Sequence, residues 1–412
     1  MQQISHQKIL ARWVLTMSGE ILENGVVEIQ QGRILDVRSA RSGEDLVELG
    51  DVALLPGLVN THTHLEFSQL SEPIQAPSFT DWIRQLVHYR REQLETGEQR
   101  GAAICQGIAE SLSSGVTTIG EIATDSGCQQ AYADLPAPSM VMREVIGTSA
   151  ADEQDRLAMA GQFLGSIPAG ATWQGAISPH SPYTVRSSLL EELCRLATEH
   201  RLPAAMHLAE SREEMKLFRE QQGPLRELLE ELEAWHEDAW PPGFSVASCL
   251  EHLCRSPRSL VIHGNYLDPA HWQLMAEQRE RMSLVYCPRT HRHFDHPNYR
   301  LSERLAAGVR VVLGTDSRAS TPDLDLLAEI RTAAQEHPGV SPGQLLAMAT
   351  SEAAEALGLA GEVGRLSAGW RANLAVVAAD YSSRQEVEAA ICGPGSCLIG
   401  VMVGGRWLRQ LA

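Results

Sequence analysis

Lysine is nearly absent from this 412-residue chain, which has only Lys8 and Lys216. The other basic residues are arginines, and the 34 Lys and Arg residues are outnumbered by 52 Asp and Glu residues, which gives a net charge of −18. A chain this acidic is a poor partner for the phosphates of nucleic acids or for an anionic membrane. The composition therefore predicts no nucleic-acid or membrane partner, although it leaves room for a local basic pocket.

Long apolar runs and closely paired cysteines are missing as well. No stretch of about 18 apolar residues occurs, so no membrane-spanning helix is predicted. Residues 1–17 lack the basic start, long apolar centre and small-residue cleavage site of a signal peptide. None of the eight cysteines lies in a Cys-x-x-Cys pair, and scattered thiols are typical of a reducing compartment. We therefore expect a cytoplasmic protein with free thiols.

The pattern of apolar segments predicts β-structure at both ends of the chain and alternating strands and helices between them. Alternation of this kind is typical of parallel βαβ units. Eight strands can be counted from residues 58–60 to residues 309–313, which predicts a (β/α)8 TIM barrel. The expected α/β fold places this barrel in residues 56–360 and a small sheet domain in residues 1–55 and 361–412.

Residues 213–255 interrupt the barrel pattern with an acidic segment rich in Leu and Glu, after the fifth strand. Two interpretations remain open for this helical insert. It is either a solvated pair of helices or a cover over the substrate.

Histidines and acids follow four predicted strands at their carboxyl ends, in the segments His62-Thr-His64, His207-Leu-Ala-Glu210, His263-Gly264 and Gly314-Thr-Asp316. The active sites of TIM barrels lie at this end of the strands. Because side chains alternate along a strand, His62 and His64 point the same way and suit a chelate. His207 and Asp316 would complete a set of three nitrogens and one oxygen, which suits Zn²⁺ or Fe²⁺.

The segment Leu55-Pro-Gly-Leu-Val-Asn-Thr-His-Thr-His64 resembles the opening motif of the amidohydrolase superfamily, and in particular of its cytosine-deaminase-like and chlorohydrolase-like (ATZ/TRZ) branch. The other matching segments are His207–Glu210, Ser178–Tyr183, Leu313–Asp316 and Gly364–Leu374. The resemblance covers nearly the whole chain and implies a distorted TIM barrel with a composite β-sandwich from both termini. It also implies two sets of site residues: the metal ligands His62, His64, His207 and Asp316, and the catalytic groups Glu210 and His263.

The scarcity of lysine bears on the number of metal ions. Many relatives bridge two metals with a carboxylated lysine on the fourth strand, for which we take the segment Met140–Ile146, and that segment has no lysine. A lysine-bridged pair is therefore excluded, and one divalent metal ion is expected, with Zn²⁺ preferred over Fe²⁺. Glu121, taken to end the third strand, is left with two interpretations: it bridges a second metal, or it forms hydrogen bonds or faces substrate.

These parts predict a hydrolytic enzyme that acts on non-peptide carbon–nitrogen bonds. A metal lowers the pKa of a bound water toward 7. Asp316 could accept a proton from that water, and His263 could hold the water by a hydrogen bond. Glu210 could carry a proton to a ring nitrogen of the substrate. The reaction would be the deamination of an amino-substituted N-heterocycle, such as an aminopurine, an adenosine derivative or an aminopyrimidine, with release of ammonia.

Two other classes of function are weighed against deamination. The same scaffold could carry a dechlorinase, or an amidase that cleaves a cyclic amide or ureido bond. A non-catalytic protein of this fold would be expected to have lost ligands, whereas every expected ligand is present here.

Substrate contacts are less well marked by the sequence than the ligands. The candidates for a small-molecule pocket are His180, Glu66, Phe67, Trp82, Arg143, Arg289, Arg292 and Arg318. An arginine at the barrel mouth could bind a carboxylate or phosphate, or it could be a structural or surface residue. Relatives are commonly dimers, so a homodimer is possible.

The seventh strand is followed by a departure from the branch pattern. Relatives carry Ser-Asn after Cys-Pro, whereas this chain has Cys287-Pro-Arg-Thr-His-Arg-His-Phe294. His291, His293 and His296 could form a second metal site, contact substrate, or pack in the core. Leu65-Glu-Phe-Ser68 is similar to a segment of aminofutalosine deaminases.

Overall fold

A computed structural model describes residues 6–124, 126–136 and 138–409. The strands of these residues form two eight-stranded sheets. One is parallel and comes from the middle of the chain, and the other combines the two ends. This arrangement agrees with the predicted α/β fold, a barrel with a second sheet.

The barrel strands are almost wholly buried because helices cover the outside and side chains fill the inside. In chain order they are β6 (Leu58–Thr63), β7 (Val116–Ala123), β8 (Ser139–Val145), β9 (Trp173–Pro179), β10 (Pro203–Leu208), β11 (Arg258–His263), β12 (Met282–Tyr286) and β13 (Val311–Leu313). They pair in this order from β6 to β13.

The first and last barrel strands meet through hydrogen bonds at their carboxyl ends. Thr61 Oγ1 donates to the carbonyl of Leu313 at 2.7 Å. The backbone N–H of Asp316 donates to the carbonyl of His62 at 3.0 Å. Closure of the barrel therefore brings the loop after β13 against the first predicted ligands.

The observed strand order corrects two assignments made from the sequence. Met140–Ile146 corresponds to β8, which is the third barrel strand and not the fourth, and Glu121 lies on β7, which is the second strand and not the third. The fourth barrel strand is β9, with the sequence Trp-Gln-Gly-Ala-Ile-Ser-Pro. It also lacks lysine, so the argument against a lysine bridge holds on the correct strand.

The second sheet joins the two ends of the chain. Its strands are β1 (His6–Leu15), β2 (Ile21–Gln30), β3 (Arg33–Ser39), β4 (Val47–Glu48), β5 (Ala53–Pro56), β14 (Leu374–Ala378), β15 (Cys397–Val403) and β16 (Arg406–Arg409). The junction is the antiparallel pair of β5 with β14. Alternating apolar residues such as Ile9, Ala11, Val27 and Ile29 give this sheet a core of its own. The limits proposed for the two domains, at residues 55 and 361, stay predictions.

The helices of the described residues surround the barrel or follow its strands. They are α1 (Phe79–Gln93), α2 (Gly97–Ser113), α3 (Glu153–Gly165), α4 (Ser187–Glu199), α5 (Arg212–Glu220), α6 (Pro224–Glu231), α7 (Val246–Leu253), α8 (Pro269–Glu277), α9 (Pro288–His293), α10 (Leu301–Ala306), α11 (Leu326–Glu336), α12 (Pro342–Met348), α13 (Ser351–Ala356) and α14 (Val387–Ile391). Among these helices, none combines the length and the apolar character that crossing a membrane requires.

Candidate metal centre and active-site cavity

The four ligands predicted from the sequence converge at the carboxyl end of the barrel. His62 and His64 lie at the end of β6, His207 lies on β10, and Asp316 lies in the loop after β13. The Nε2 atoms of His64 and His207 are 3.2 Å apart. Asp316 Oδ1 is 3.5 Å from His62 Nε2 and 3.9 Å from His64 Nε2. All four residues are at most 9% exposed, so the group is buried.

The hydrogen bonds around His207 show that a cation fits this group. Its Nδ1 lies 2.9 Å from the carbonyl of His180, and a carbonyl can only accept, so Nδ1 carries the proton. Nε2 is then unprotonated, and its lone pair faces His64 Nε2. Both ring nitrogens of His62 and the Nδ1 of His64 are buried and lack a hydrogen-bond partner among the described residues. Buried nitrogens of this kind are costly unless they bind something, and imidazole and carboxylate suit a divalent metal.

Burial also favours the neutral form of two of the histidines, His64 and His207, and neutral imidazole is the form that binds a metal. Burial, with the neighbouring His62 and His180, lowers the pKa of His207 to about 3. Burial, with His62 and His207, lowers the pKa of His64 well below its ordinary value. Neutral imidazoles are ready to bind a metal without losing a proton.

Strained backbone marks three positions around the centre. The φ values of Ala209, His263 and Asp316 are 53°, 66° and 58°. They lie in the left-handed region, which residues other than glycine rarely adopt. Such strain persists only where surrounding contacts enforce it, and it is typical of functional sites. Here it turns the chain sharply where each strand ends, which directs Glu210, His263 and Asp316 toward one point.

Glu210 and His263 stand beside the ligand group. His263 Nε2 is 3.5 Å from Glu210 Oε1 and 4.0 Å from Asp316 Oδ2. Burial, with the charges of Asp316 and Glu214, raises the pKa of Glu210 well above its ordinary value. A carboxyl group held in its acid form can donate a proton, which is the role proposed for Glu210 from the sequence.

Glu121 supports the backbone next to the ligands. It is 1% exposed, and its Oε2 accepts a hydrogen bond from the N–H of Leu65 at 3.0 Å. The candidate metal-binding groups of the described residues do not include it. Of the two interpretations of Glu121, the hydrogen-bonding one matches this position.

Two candidate groups add residues to the predicted ligands and overlap them, and one of the two adds His263 to His62 and Asp316. In the other, Glu144, His180 and His207 offer donor atoms within 4.8 Å of one another. Since His207 already belongs to the predicted set and its Nδ1 donates to His180, this group does not form a separate centre. The donor sets are therefore consistent with a single metal ion.

The ligand group forms the floor of a cavity of about 200 Å³. One wall comes from α1, and another comes from the insert. The wall residues are mainly apolar and include Phe79, Trp82, Ile83, Leu86, Leu225, Leu228, Leu229 and Leu232. Helix α6 of the insert thus faces the cavity, which favours the covering interpretation over a solvated helical pair.

Three of the predicted substrate contacts, His180, Trp82 and Phe67, line this cavity. His180 borders it, and its Nε2 is 3.8 Å from Glu144 Oε1. Trp82 also borders it, and the indole Nε1 donates to the carbonyl of Ala319 at 3.0 Å, which fixes the ring. A contact of these three side chains with substrate stays a prediction.

The other predicted contacts are directed elsewhere. Arg143 donates to the carbonyls of Ala123 and Glu144 instead of facing the cavity. Arg318 donates to the carbonyl of Leu70 and pairs with Glu110 at 2.8 Å. These two arginines bind backbone and carboxylate partners outside the cavity lining, which does not favour a contact with substrate, and that role stays a prediction.

Glu66 lies one layer behind the cavity wall. Its carboxylate accepts from Arg90 at 2.6 Å and from Thr124 Oγ1 at 2.8 Å. Arg90, on α1, lines the cavity itself. Glu66 therefore holds the Arg90 side chain at the cavity, and its own contact with substrate stays a prediction.

Arg289 and Arg292 serve the packing of the loop after β12. Arg289 pairs with Glu329 and Asp323, both at 2.6 Å. Arg292 pairs with Glu336 at 2.8 Å. For both residues the structural interpretation agrees with these contacts.

The sequence analysis missed two charged residues of the cavity, Glu144 and Arg90. Strand alternation could have found Glu144, since neighbouring residues of β8 face opposite ways and the choice fell on Arg143. Arg90 gives no such signal, because it reaches the cavity from the last turn of α1. The insert leucines have a helical spacing that predicts a buried face but not what that face covers.

The histidines after the seventh strand do not form a second centre in the described chain. His293 Nε2 lies 3.1 Å from the carbonyl of Ile74, and His296 Nδ1 lies 3.1 Å from the Tyr266 hydroxyl. His291 packs against Tyr286 and Tyr299. The candidate metal groups of the described residues include none of the three.

A parallel barrel with three imidazoles and an aspartate at its carboxyl end, beside a buried acid, defines a metal-dependent hydrolase. A model of the amidohydrolase family matches residues 53–408. The chain belongs to this family, as the sequence motifs suggested.

Relatives and solved structures agree with this assignment. The chain is 27% identical to the 5-methylthioadenosine/S-adenosylhomocysteine deaminase of Moorella thermoacetica over 390 residues, which covers 88% of this chain and 83% of the relative. It is 26% identical to the Bacillus cereus protein of the same name over 399 residues, which covers 92% and 86%.

Two solved structures share the fold. Helicobacter pylori aminofutalosine deaminase bound to methylthio-coformycin superposes with a TM-score of 0.85 at 21% identity, covering 98% of this chain and all of that one. A zinc-bound adenosine deaminase from Xanthomonas campestris gives a TM-score of 0.78 at 22% identity, with 98% and 93% covered.

Metal content tests the ligand set. Purified protein is expected to hold about one divalent metal per chain, and His207→Ala should lose most of it because one of four donors is removed. The matched control is His337→Ala, a buried histidine that bonds to Tyr286 away from the centre and should keep the metal. Inductively coupled plasma mass spectrometry measures the ratio, and full metal content in His207→Ala would remove this residue from the set.

Proposed function

We propose that the protein is a hydrolytic deaminase of an adenine nucleoside that carries an apolar 5′ substituent. The observation that carries the proposal is the cavity itself. Its floor holds the ligand group with Glu210 and His263, and its outer wall is largely aliphatic. The floor suits attack of water on an amino-bearing ring carbon, and the wall suits an apolar group at the far end of the substrate.

The metal proposed for the centre is Zn²⁺, held by His62, His64, His207 and Asp316. Three imidazoles and a carboxylate match its usual ligands. When bound, such an ion acts as a Lewis acid that makes a water molecule acidic near neutral pH.

The side chains around the ligand group supply the proton transfers. Glu210 in its acid form gives a proton to a ring nitrogen, so the adjacent amino-bearing carbon becomes electrophilic. Asp316 accepts a proton from the attacking water, and His263, 4.0 Å from Asp316, is placed to hold the water by a hydrogen bond. The oxygen of the water bonds to the amino-bearing carbon, and Asp316 passes the proton that it accepted to the amino group. The carbon–nitrogen bond then breaks with release of ammonia, and the new hydroxyl group gives its proton to the Glu210 carboxylate as the ring carbonyl forms.

The substrate class is supported by the chemistry of the cavity wall. Leu225, Leu228 and Leu229 are each no more than 3% exposed and come from one face of α6. A thioether or alkyl group gains free energy when it is buried there, by about 25 cal/mol per Å² of apolar surface. The names of the relatives, which include methylthioadenosine and methylthio-coformycin, agree with such a group.

Polar residues of the cavity lining fit the hydroxyl groups of a sugar. The Glu144 carboxylate can accept hydrogen bonds, and the Arg90 guanidinium can donate them. His180 lies between the metal ligand His207 and Glu144, with ring contacts of 5.2 Å to His207. We propose that these residues bind the ribose.

For the cellular compartment and the oligomeric state, our proposals are the same as the expectations from the sequence. The side chains of seven cysteines are described, and all seven are free thiols. This supports our proposal of a reducing cytoplasm. A homodimer is proposed on the resemblance alone.

The experiment that tests the proposed function is an ammonia-release assay with metal-loaded protein. We expect release from 5′-methylthioadenosine, with a lower kcat/KM for adenosine and little release from cytosine. A chlorotriazine, assayed for chloride, represents the alternative of dechlorination. Turnover of the chlorotriazine without deamination of either nucleoside would contradict the proposal.

Glu210→Gln tests the proton transfer. The amide cannot give up a proton to the ring nitrogen, so kcat should fall by about two to four orders of magnitude with metal content unchanged. Steady-state kinetics and metal analysis on the same preparation measure both. A kcat equal to that of the wild type would remove Glu210 from the proton path.

Leu229→Ala tests the apolar wall. Removing part of a buried side chain from the cavity should lower kcat/KM for 5′-methylthioadenosine by about tenfold, a size typical of one lost apolar contact, and should change adenosine turnover much less. Leu217→Ala is the matched control, because Leu217 belongs to the same apolar cluster but does not line this cavity. Equal loss for both substrates would argue against the assigned position of the 5′ group.

A further inference from the structure

Behind Glu210 lies a second buried glutamate to which the reaction gives no role. Glu214 is fully buried, at 0% exposure, in the first turn of α5. Its two carboxylate oxygens accept hydrogen bonds from two consecutive backbone N–H groups: Oε1 from Ala209 at 2.7 Å, and Oε2 from Glu210 at 2.8 Å. The carboxylate therefore spans the peptide bond that precedes the proposed proton donor.

That peptide bond lies in a turn that needs support. Ala209 is left-handed, with a φ of 53°, which costs free energy for a residue other than glycine. Without its partners the turn would relax toward an ordinary conformation. Because Glu210 follows Ala209 directly, relaxation would swing its side chain away from the cavity.

The other side of the turn is held as well. Asn265 Nδ2 donates to the carbonyl of Glu210 at 2.9 Å. The N–H of Tyr266 donates to the carbonyl of Ala209 at 2.9 Å. The backbone of Glu210 is thus bound at both its N–H and its carbonyl, by Glu214 and by Asn265.

The burial of Glu214 is unusual because no cation compensates it. The ion pairs of the described residues include none with Glu214, whereas the equally buried Glu329 pairs with Arg289 at 2.6 Å. Burying a carboxylate costs several kcal/mol unless its charge is satisfied. The partners of Glu214 are backbone N–H groups just before α5, and Glu214 itself lies in the first turn of this helix, where negative charge is favoured.

We propose that Glu214 is the positioning residue of Glu210: by holding the Ala209–Glu210 peptide, it fixes the proton donor at the cavity floor. This inference rests on the proposed function, since it assumes that Glu210 gives the proton. The proposal requires no contact between Glu214 and the substrate. Glu214 acts on Glu210 through the Ala209–Glu210 backbone, in addition to the effect of its charge on the pKa of Glu210.

Glu214→Gln separates this role from a general contribution to stability. Glutamine offers one acceptor oxygen and sets an NH2 group against the second backbone N–H, so one hydrogen bond is lost. We expect kcat to fall by about 10- to 100-fold, with KM changed by less than about threefold, because binding depends on other walls of the cavity. Metal content should stay at the wild-type level.

A double-mutant cycle gives the decisive readout. If Glu214 acts only through Glu210, Glu214→Gln should have little further effect on kcat in a Glu210→Gln background. The matched control is Glu329→Gln, another fully buried glutamate that accepts a backbone N–H, and its effect should be the same in both backgrounds. Additive losses for Glu214→Gln would overturn the proposal.

The cycle is run with whichever substrate the wild-type enzyme turns over, so it remains informative if deamination itself is disproved. A crystal structure of metal-loaded Glu214→Gln adds a readout without activity. The proposal expects the Glu210 side chain displaced while the ligands keep their places. If this variant does not fold, Glu214→Asp, which is too short to reach both N–H groups, takes its place. An undisplaced Glu210 in either variant would overturn the proposal.

Discussion

The rest of the site depends on one constraint, which is that three imidazoles and a carboxylate must share one small space. His207 is held with its lone pair toward His64, and the ring nitrogens of His62 are buried without a hydrogen-bond partner among the described residues. This arrangement is unfavourable for the protein by itself and favourable around a cation. The barrel enforces it, because the hydrogen bond from Asp316 to His62 closes the seam between the first and last strands.

The parts of this arrangement that follow strand rules could be predicted from the sequence. A His-x-His pair on one strand must share a face, and residues after parallel strands must meet at one edge of a barrel. These two rules locate His62, His64, His207, His263 and Asp316 without knowledge of any distance. Errors in counting the strands did not matter, since neither the third nor the fourth barrel strand contains lysine.

Prediction failed where a residue's direction depends on contacts far away in the sequence. Arg143 and Glu144 are neighbours on one strand, and only the packing of β8 between β7 and β9 decides which faces the cavity. Arg90 reaches the cavity because Glu66 holds it, across a separation of 24 residues. Glu214 has no pattern of its own, since its partners are backbone atoms that look alike in every sequence.

The division between floor and wall explains how one fold can serve several substrates. The floor is built from strand ends whose positions are tied to barrel closure, so a change there disturbs every ligand together. The wall is built from α1 and from the insert, which pack on the barrel but do not close it. Wall residues can therefore vary with little effect on the metal centre. In the proposed function the floor determines the chemistry and the leucines of α6 select the substrate. Glu214 belongs to both regions, because it lies on α5, where the insert begins, and binds the backbone of Glu210 at the floor.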